Sequence, residues 1–403
     1  MKRTLLAVGV IVSLISGSSM AKEFVLIDQA KGMTAGNWQV TERDLAVSDN
    51  LTFSVKNQIL HGGKQEGSQR ITIRSGDFAI NLSPTRGMGI LSVVGNGVRL
   101  GWDSPVDEVV NPAFINLDSR GGLGWLEGFN EMMVRCGFEW TGHPVIADGT
   151  IYSLHGRAGN TPVSQLIVDI EDQPPYTITV KGLIKENTFK KGHLETWASL
   201  SYVPGTNSFT VHDILTNRGD YPRDYQIIYH SNFGPPLLEQ DAQFIAPVKA
   251  ISPFNDYAKQ GLDSWQSYLG PTNGFDEMVF NIYPYADAQG QTQVMLTNKA
   301  GDKGAGIAFN INQLPVLSLW KNTDTLKQGY VTGLEPGTSF AYPVTIEREQ
   351  SRVRQLAPGQ STAFTLTYSL LADKTAVDRY QAQIRAIQGD RQTEVIAQPL
   401  AEE

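Results

Sequence analysis

After Ala21, short runs rich in Val, Ile, Thr, Tyr and Phe recur between Gly, Pro, Asn and Asp, and helical periodicity is nearly absent. No other feature constrains the fold as much, because strands punctuated by turn residues at short intervals build antiparallel sheets. Residues 90–94 and 98–100 flank Gly95-Asn96-Gly97, a turn that tolerates positive φ. Residues 196–203 and 208–215 flank Pro204-Gly205-Thr206-Asn207 in the same way, and Ser361–Leu371 alternates around Phe364, Leu366 and Tyr368. One helix is predicted over Lys374–Gln388, where Val377, Tyr380, Ile384 and Ile387 recur at helical spacing behind Asp373 as N-cap. Many strands without alternating helices exclude βαβ units and predict an all-β protein, a large antiparallel sandwich.

The chain is long enough for a sizeable core: 403 residues, 41% hydrophobic and 18% charged. That composition excludes a disordered polyelectrolyte, a disulfide scaffold and a collagen-like repeat. A net charge of −8 argues against a nucleic-acid partner, which calls for a basic face. Cys136 is the only cysteine, so no intramolecular disulfide can form. Lys2-Arg3, an apolar stretch over residues 5–15 and Ser19-Met20-Ala21 have the layout of a secretory signal peptide cleaved after Ala21. The expected location is therefore the periplasm or the cell exterior, without a stable membrane anchor. With no repeat or low-complexity linker in view, the expected parts are a signal peptide (1–21), an N-terminal extension (22–60), one sandwich domain (61–373), a helix (374–388) and a loose tail (389–403). Nothing in the pattern specifies an oligomeric state.

Six histidines are the natural start for a search for chemistry, because imidazole serves as acid, base or ligand near neutral pH. None is spaced H-x-H or H-x-x-x-H, so no local metal clip is present, and no cofactor-binding motif appears. His212 sits mid-strand in Val211-His212-Asp213, where sheet hydrogen bonding is the simpler role, and His61 and His193 stand among Gly and Lys as surface residues. His155 and His230 differ. His155 opens the polar, glycine-spaced loop His155-Gly156-Arg157-Ala158-Gly159-Asn160-Thr161-Pro162. His230 ends an apolar strand and leads into Ser231-Asn232-Phe233-Gly234, a good position from which to meet a ligand. A third feature is Gly333-Leu334-Glu335-Pro336-Gly337, in which Glu335 is either a turn carboxylate or a general base on a stiff loop. Trp102, Trp125, Trp140, Trp265, Tyr268 and Trp320 could stack on sugar rings, although aromatics in β proteins commonly belong to the core.

These segments carry a resemblance. Leu154-His155-Gly156, Tyr229-His230-Ser231-Asn232-Phe233-Gly234 and Leu334-Glu335-Pro336 resemble, in the same chain order, three motifs of the aldose 1-epimerase (galactose mutarotase) superfamily. Pro84-Thr85-Arg86-Gly87-Met88, Arg120-Gly121-Gly122-Leu123-Gly124-Trp125 and residues 155–162 resemble its little-characterised bacterial branch, over about residues 76–371.

The resemblance implies a β-supersandwich with a carbohydrate cleft, and a cofactor-free and metal-free acid–base reaction on a small carbohydrate. Glu335 would take the proton of the anomeric hydroxyl while His230 protonates the ring oxygen, the two groups flanking C1. His155 would hold the ring oxygen, with Arg86, Arg120, Arg157, Asn160, Asn232, Trp265 and Glu277 as further substrate contacts. Arg135 adds a fourth cation to the motif segments, which would suit an anionic sugar or, equally, structural pairing with Glu127, Glu131 or Glu139. Two departures from the family pattern, Tyr229 and Asn232, leave the sugar unspecified. A non-catalytic carbohydrate binder, or an epimerase or lyase acting on a uronate with Tyr229 and Arg157, remain alternatives.

Overall fold

The computed structural model describes residues 21–47 and 51–401. The predicted signal peptide lies outside them except for Ala21. Two sheets, one of ten strands and one of fourteen, antiparallel except for one short parallel pair, enclose the main core, in line with the all-β expectation. The ten-stranded sheet is built around His193–Tyr202, Ser208–Asn217 and Ser361–Leu371. Its strands show the two-residue period of a half-buried surface: in Gln165–Glu171, only Leu166, Val168 and Ile170 are buried.

The middle of the fourteen-stranded sheet runs Gly89–Gly95, Met133–Phe138, Arg223–Phe233, Val331–Gly337, Val316–Asn322, Met278–Pro284. Most residues of these strands are buried, and polar side chains such as Arg135, Gln226, His230, Asn232 and Glu335 are buried among the apolar ones. Alternation sorts their side chains. Met133, Ile227, Tyr229, Leu317, Leu319 and Leu334 face the core between the sheets. Val134, Cys136, Ile228, Val316 and Val331 face a second apolar cluster on the opposite side, roofed by Trp125, Phe129 and Leu154 from the long excursion between strands.

Charge also crosses the space between the sheets. Arg135, on Met133–Phe138, donates through Nε (2.6 Å) and Nη2 (2.9 Å) to the carboxylate of Asp213 on Ser208–Asn217. Both are fully buried. Tyr229 Oη donates to the same carboxylate (2.8 Å), and Ser231 Oγ meets Tyr368 Oη at 2.8 Å. His230, between Tyr229 and Ser231, is thereby turned to the other face.

Both ends of the chain depart from expectation. Residues 22–60 are part of the sandwich: Ala21–Asp28 pairs with Gln165–Glu171 in one sheet, while Trp38–Thr41 and Ser54–Ile59 extend the other. Phe24, Val40, Phe53 and Val55 supply the apolar contacts that hold them there. The tail is tied down as well. Glu394–Val395 pairs in parallel with Ala250 and Ile251, and Leu400 packs against the second cluster. The helix Lys374–Gln388 forms as predicted, capped by Asp373 Oδ1 accepting from the Ala376 amide (2.8 Å), with Val377, Tyr380 and Ile384 buried.

Removing one partner of a buried ion pair strands the other in low dielectric at a cost of about 3–5 kcal/mol. Asp213→Ala is therefore expected to lower the urea unfolding midpoint by that much stability. Arg135→Met combined with Asp213→Leu, which removes both charges, should recover most of it.

Candidate active site

The cavity begins with strand alternation. His230 and Glu335 both project from the face turned away from the core, on adjacent strands in which Ser231 pairs with Leu334. Their side chains meet: His230 Nε2 lies 3.2 Å from Glu335 Oε1, with side-chain exposures of 6% and 3%. The approach lacks hydrogen-bond alignment, so Glu335 Oε1 is buried without a hydrogen-bond partner. Gly333 makes the room, since a Cβ there would stand 2.3 Å from Glu335 Oε1.

His155 closes the cluster, its ring centroid 5.3 Å from that of His230. Its backbone is in the left-handed region (φ 58°), which few non-glycine residues occupy. Gly156, also left-handed, follows because a Cβ there would strike the Trp140 and Gly137 carbonyls at 2.2 and 2.6 Å. The Leu-His-Gly spacing thus has a packing cause. His155 Nδ1 is likewise buried without a hydrogen-bond partner.

Aromatic rings form the walls. Trp125, Phe129 and Trp320 stand 6.0, 5.3 and 5.4 Å from the His230 ring, centroid to centroid. Trp320 Nε1 donates to Glu277 Oε2 (2.7 Å), which puts a second carboxylate at the cavity. The cleft encloses about 670 Å³ including its open mouth. Leu126, His143, Pro144 and Val279 complete much of the lining, and no Arg or Lys contributes to it.

Asn232 sets the tautomer of His230. Its Nδ2 donates to the carbonyls of Glu131 (2.9 Å) and His230 (3.2 Å), which fixes the amide and leaves Oδ1 as an acceptor 2.8 Å from His230 Nδ1. Nδ1 therefore carries hydrogen, and Nε2 of the neutral ring presents a lone pair toward Glu335. Burial depresses the imidazole to about 3, opposed by the Asn232 hydrogen bond. Burial, with Glu277 nearby, raises Glu335 well above the usual carboxylate range. Burial, then the neighbouring His230 and His143, also holds His155 well below its ordinary value. Burial thus disfavours the charged form of both members of the pair.

Of the expected contacts, His230, Glu335, His155 and Glu277 come together at this cavity. The others stand elsewhere. Arg86 is buried in an ion pair with Glu131 (3.0 Å) and also donates to the Gly128 carbonyl (2.9 Å) and to Asn160 Oδ1. A buried guanidinium needs such partners, and they engage Arg86 and the Oδ1 of Asn160, whose Nδ2 is buried without a hydrogen-bond partner. Asn232 lies behind His230. Arg120 is exposed, 3.7 Å from Glu127, and Arg157 lies over the Trp140 ring in a separate cleft. Trp265 belongs to the core between the sheets, beside Phe244. The sequence does not point to Phe129, Leu126 and Pro144, because an apolar residue outside the strands has no period that betrays which way it faces, nor to Val279, one apolar strand residue among many. Among the described residues, no group of His, Cys, Asp or Glu is arranged to hold a metal, and no helix is long and apolar enough to cross a membrane.

A family model, the domain of unknown function DUF4432, matches residues 65–370. The chain belongs to the DUF4432 family. This DUF4432 chain is 62% identical to a Klebsiella pneumoniae protein of known crystal structure named "putative aldose 1-epimerase", with 95% of this chain and 100% of that one covered and a TM-score of 0.94. A galactose mutarotase-like protein from Clostridium acetobutylicum, 14% identical, shares the fold, with 78% of this chain and 98% of that one covered and a TM-score of 0.53. No curated protein matches the chain.

The low value of His230 has a consequence for stability. The unfolded ring titrates near 6.5 and the folded one near 3, so between them the unfolded state holds a proton that the folded state lacks. The stability His230 contributes as a neutral ring is complete above pH 6.5 and declines as pH falls toward 3, by up to about 1.4 kcal/mol per pH unit. Urea titrations between pH 7 and 4 should show wild type losing stability more steeply than His230→Asn; parallel curves would contradict the buried neutral ring.

Proposed function

We propose that this protein is an aldose 1-epimerase-like isomerase that interconverts sugar anomers by opening and closing the ring. The observation that carries the reading is the 3.2 Å approach of Glu335 Oε1 to His230 Nε2 in an otherwise aromatic cavity.

Ring opening removes a proton from the anomeric O1 and adds one to the ring oxygen O5. Both oxygens are bonded to C1, so the two catalytic groups must lie close together, one reaching each oxygen. A pair that shares a single proton does this without changing the charge of a dry cavity. In the charge-separated form, carboxylate and imidazolium, Glu335 takes the proton from O1 while His230 Nε2 donates to O5. The products are the open-chain aldehyde, a neutral Glu335 and a neutral His230. After rotation about the C1–C2 bond, Glu335 returns its proton to the carbonyl oxygen as His230 takes the proton of the attacking O5 hydroxyl. Each tautomer of the pair thus serves one half-reaction.

Glu335 Oε1 has no hydrogen-bond partner from the protein, and the hydroxyls of a bound sugar would stabilise the charge-separated tautomer there. The rings of Trp125 and Trp320 offer faces for the axial C–H groups of a pyranose. Glu277 is placed to accept from a hydroxyl remote from C1. The absence of Arg and Lys from the lining supports a neutral sugar over a uronate.

Polarimetry on freshly dissolved aldoses is the test. Wild type is expected to speed anomer equilibration of at least one neutral aldose, and Glu335→Gln and His230→Asn should each cut the rate by about 10²–10⁴-fold. Asn232→Leu, which frees the His230 tautomer, should lower kcat more than it raises KM. If no aldose equilibrates faster with wild type but one binds with a measurable Kd, the protein is a carbohydrate binder.

A further inference from the structure

A second concavity lies beside the first, and its chemistry is the opposite. Tyr152 and Arg157 line it from the same wall segment whose intervening residues, Leu154 and His155, line the catalytic cavity. Four cations border this second cleft: Arg157, Lys191, Arg223 and Arg348, against the carboxylates of Glu139 and Asp224. In a chain whose net charge is −8, such a local excess of positive charge is a specific feature.

Two of the guanidinium groups are held in place by aromatic rings. Arg157 lies 5.1 Å from the centre of the Trp140 ring and Arg348 lies 5.5 Å from that of Tyr152. Arg348 Nε also donates to Asp224 (3.0 Å), and the side chain bonds Tyr152 as well, which holds the guanidinium at the edge of the cleft. A stacked guanidinium loses little freedom on meeting an anion, and its fork matches the two oxygens of a carboxylate.

The cleft continues into a neighbouring groove, with Thr188, Lys191 and Arg223 common to both. There the surface carries two large exposed rings, Phe189 (87% exposed) and Tyr221 (71% exposed), with Lys190 beside Phe189 and one carboxylate, Asp220. Exposed rings alternating with cations along a groove can recognise a chain of pyranose rings that bear acidic groups. The rings stack on C–H faces, and the cations pair with the carboxylates.

We infer that this groove, from Trp140 to Tyr221, is a docking site for an acidic oligosaccharide, one carrying uronate carboxylates, and that it is distinct from the catalytic cavity. It stands whether or not the cavity is an epimerase site. A nucleic acid presents a similar pattern of rings and negative charge, but its denser charge would be repelled by the acidic remainder of the surface.

The test is a titration of the full protein with an oligogalacturonate, an uncharged oligosaccharide of equal length and a single-stranded DNA oligonucleotide. Calorimetry gives the affinities, and tryptophan emission follows Trp140. Only the oligogalacturonate is expected to bind, more weakly as salt rises. Lys191→Ala combined with Arg223→Ala, at the junction of the two concavities, should weaken binding about tenfold or more with an unchanged melting temperature. Should that variant prove unstable, Lys191→Glu alone should weaken binding. The inference is overturned if wild type does not bind oligogalacturonate at low salt, if the neutral oligomer or the DNA binds as tightly, or if the variants bind like wild type.

Discussion

Arg135 and Asp213 lock the two sheets together at one point, and the site depends on that lock. Sheet-on-sheet packing through Leu, Ile and Val is non-directional: it rewards burial but tolerates sliding. A bidentate guanidinium–carboxylate contact between strands of opposite sheets tolerates no slide, because half a bond is worse than none in a dry interior. Tyr229 Oη adds a third hydrogen bond to the same carboxylate. Its strand neighbour is His230, so the bond that anchors Tyr229 toward one sheet sets the direction of His230 toward the other face. A slip of one residue in that strand would send His230 into the core.

A second chain of buried contacts refines what the first makes possible. Arg86 neutralises Glu131, whose backbone carbonyl accepts from Asn232, whose amide oxygen in turn takes the Nδ1 proton of His230. Each link is satisfied only if the one behind it is in place. The outcome at the end of the chain is chemical rather than structural: a bare Nε2 beside a carboxyl group. Burial supplies the rest, since it opposes charge on both partners.

Much of this was legible in the chain, for definable reasons. Strands, hairpins and the terminal helix declare themselves by period, and turn residues mark their ends, as at Gly95-Asn96-Gly97. His155, His230 and Glu335 stood out because each is a titratable residue interrupting an apolar or glycine-spaced segment. The arginines left two readings open, ligand contact or pairing with Glu127, Glu131 or Glu139, and pairing holds for Arg86 with Glu131 and Arg120 with Glu127. Arg86, Arg120 and Arg157 sit within motif segments, yet one is spent inside the scaffold and two face other surfaces, and sequence does not tell a buried pair from a ligand contact when the partner is tens of residues away. The N-terminal segment misled for a related reason. Residues 22–60 contain short strands whose partners, Gln165–Glu171 and Gln69–Ser75, are a matter of topology and not of local pattern.

The wall at residues 152–157 shows how one short segment can separate two electrostatic environments. Side chains at Leu154 and His155 turn toward a cavity whose only acids and bases are carboxyls and imidazoles, and those at Tyr152 and Arg157 toward a cleft edged by guanidinium groups. The reversal is made by consecutive left-handed residues, His155 and Gly156, which turn the backbone sharply between the two sides. Keeping Arg157 out of the cavity matters to the chemistry. A guanidinium close to Glu335 would stabilise the carboxylate, pull its proton affinity down and lock the pair into one protonation form, whereas the proposed ring opening calls for both forms within reach. On the far side of the wall Arg157 borders the second cleft, where the proposed anionic ligand would meet it away from Glu335.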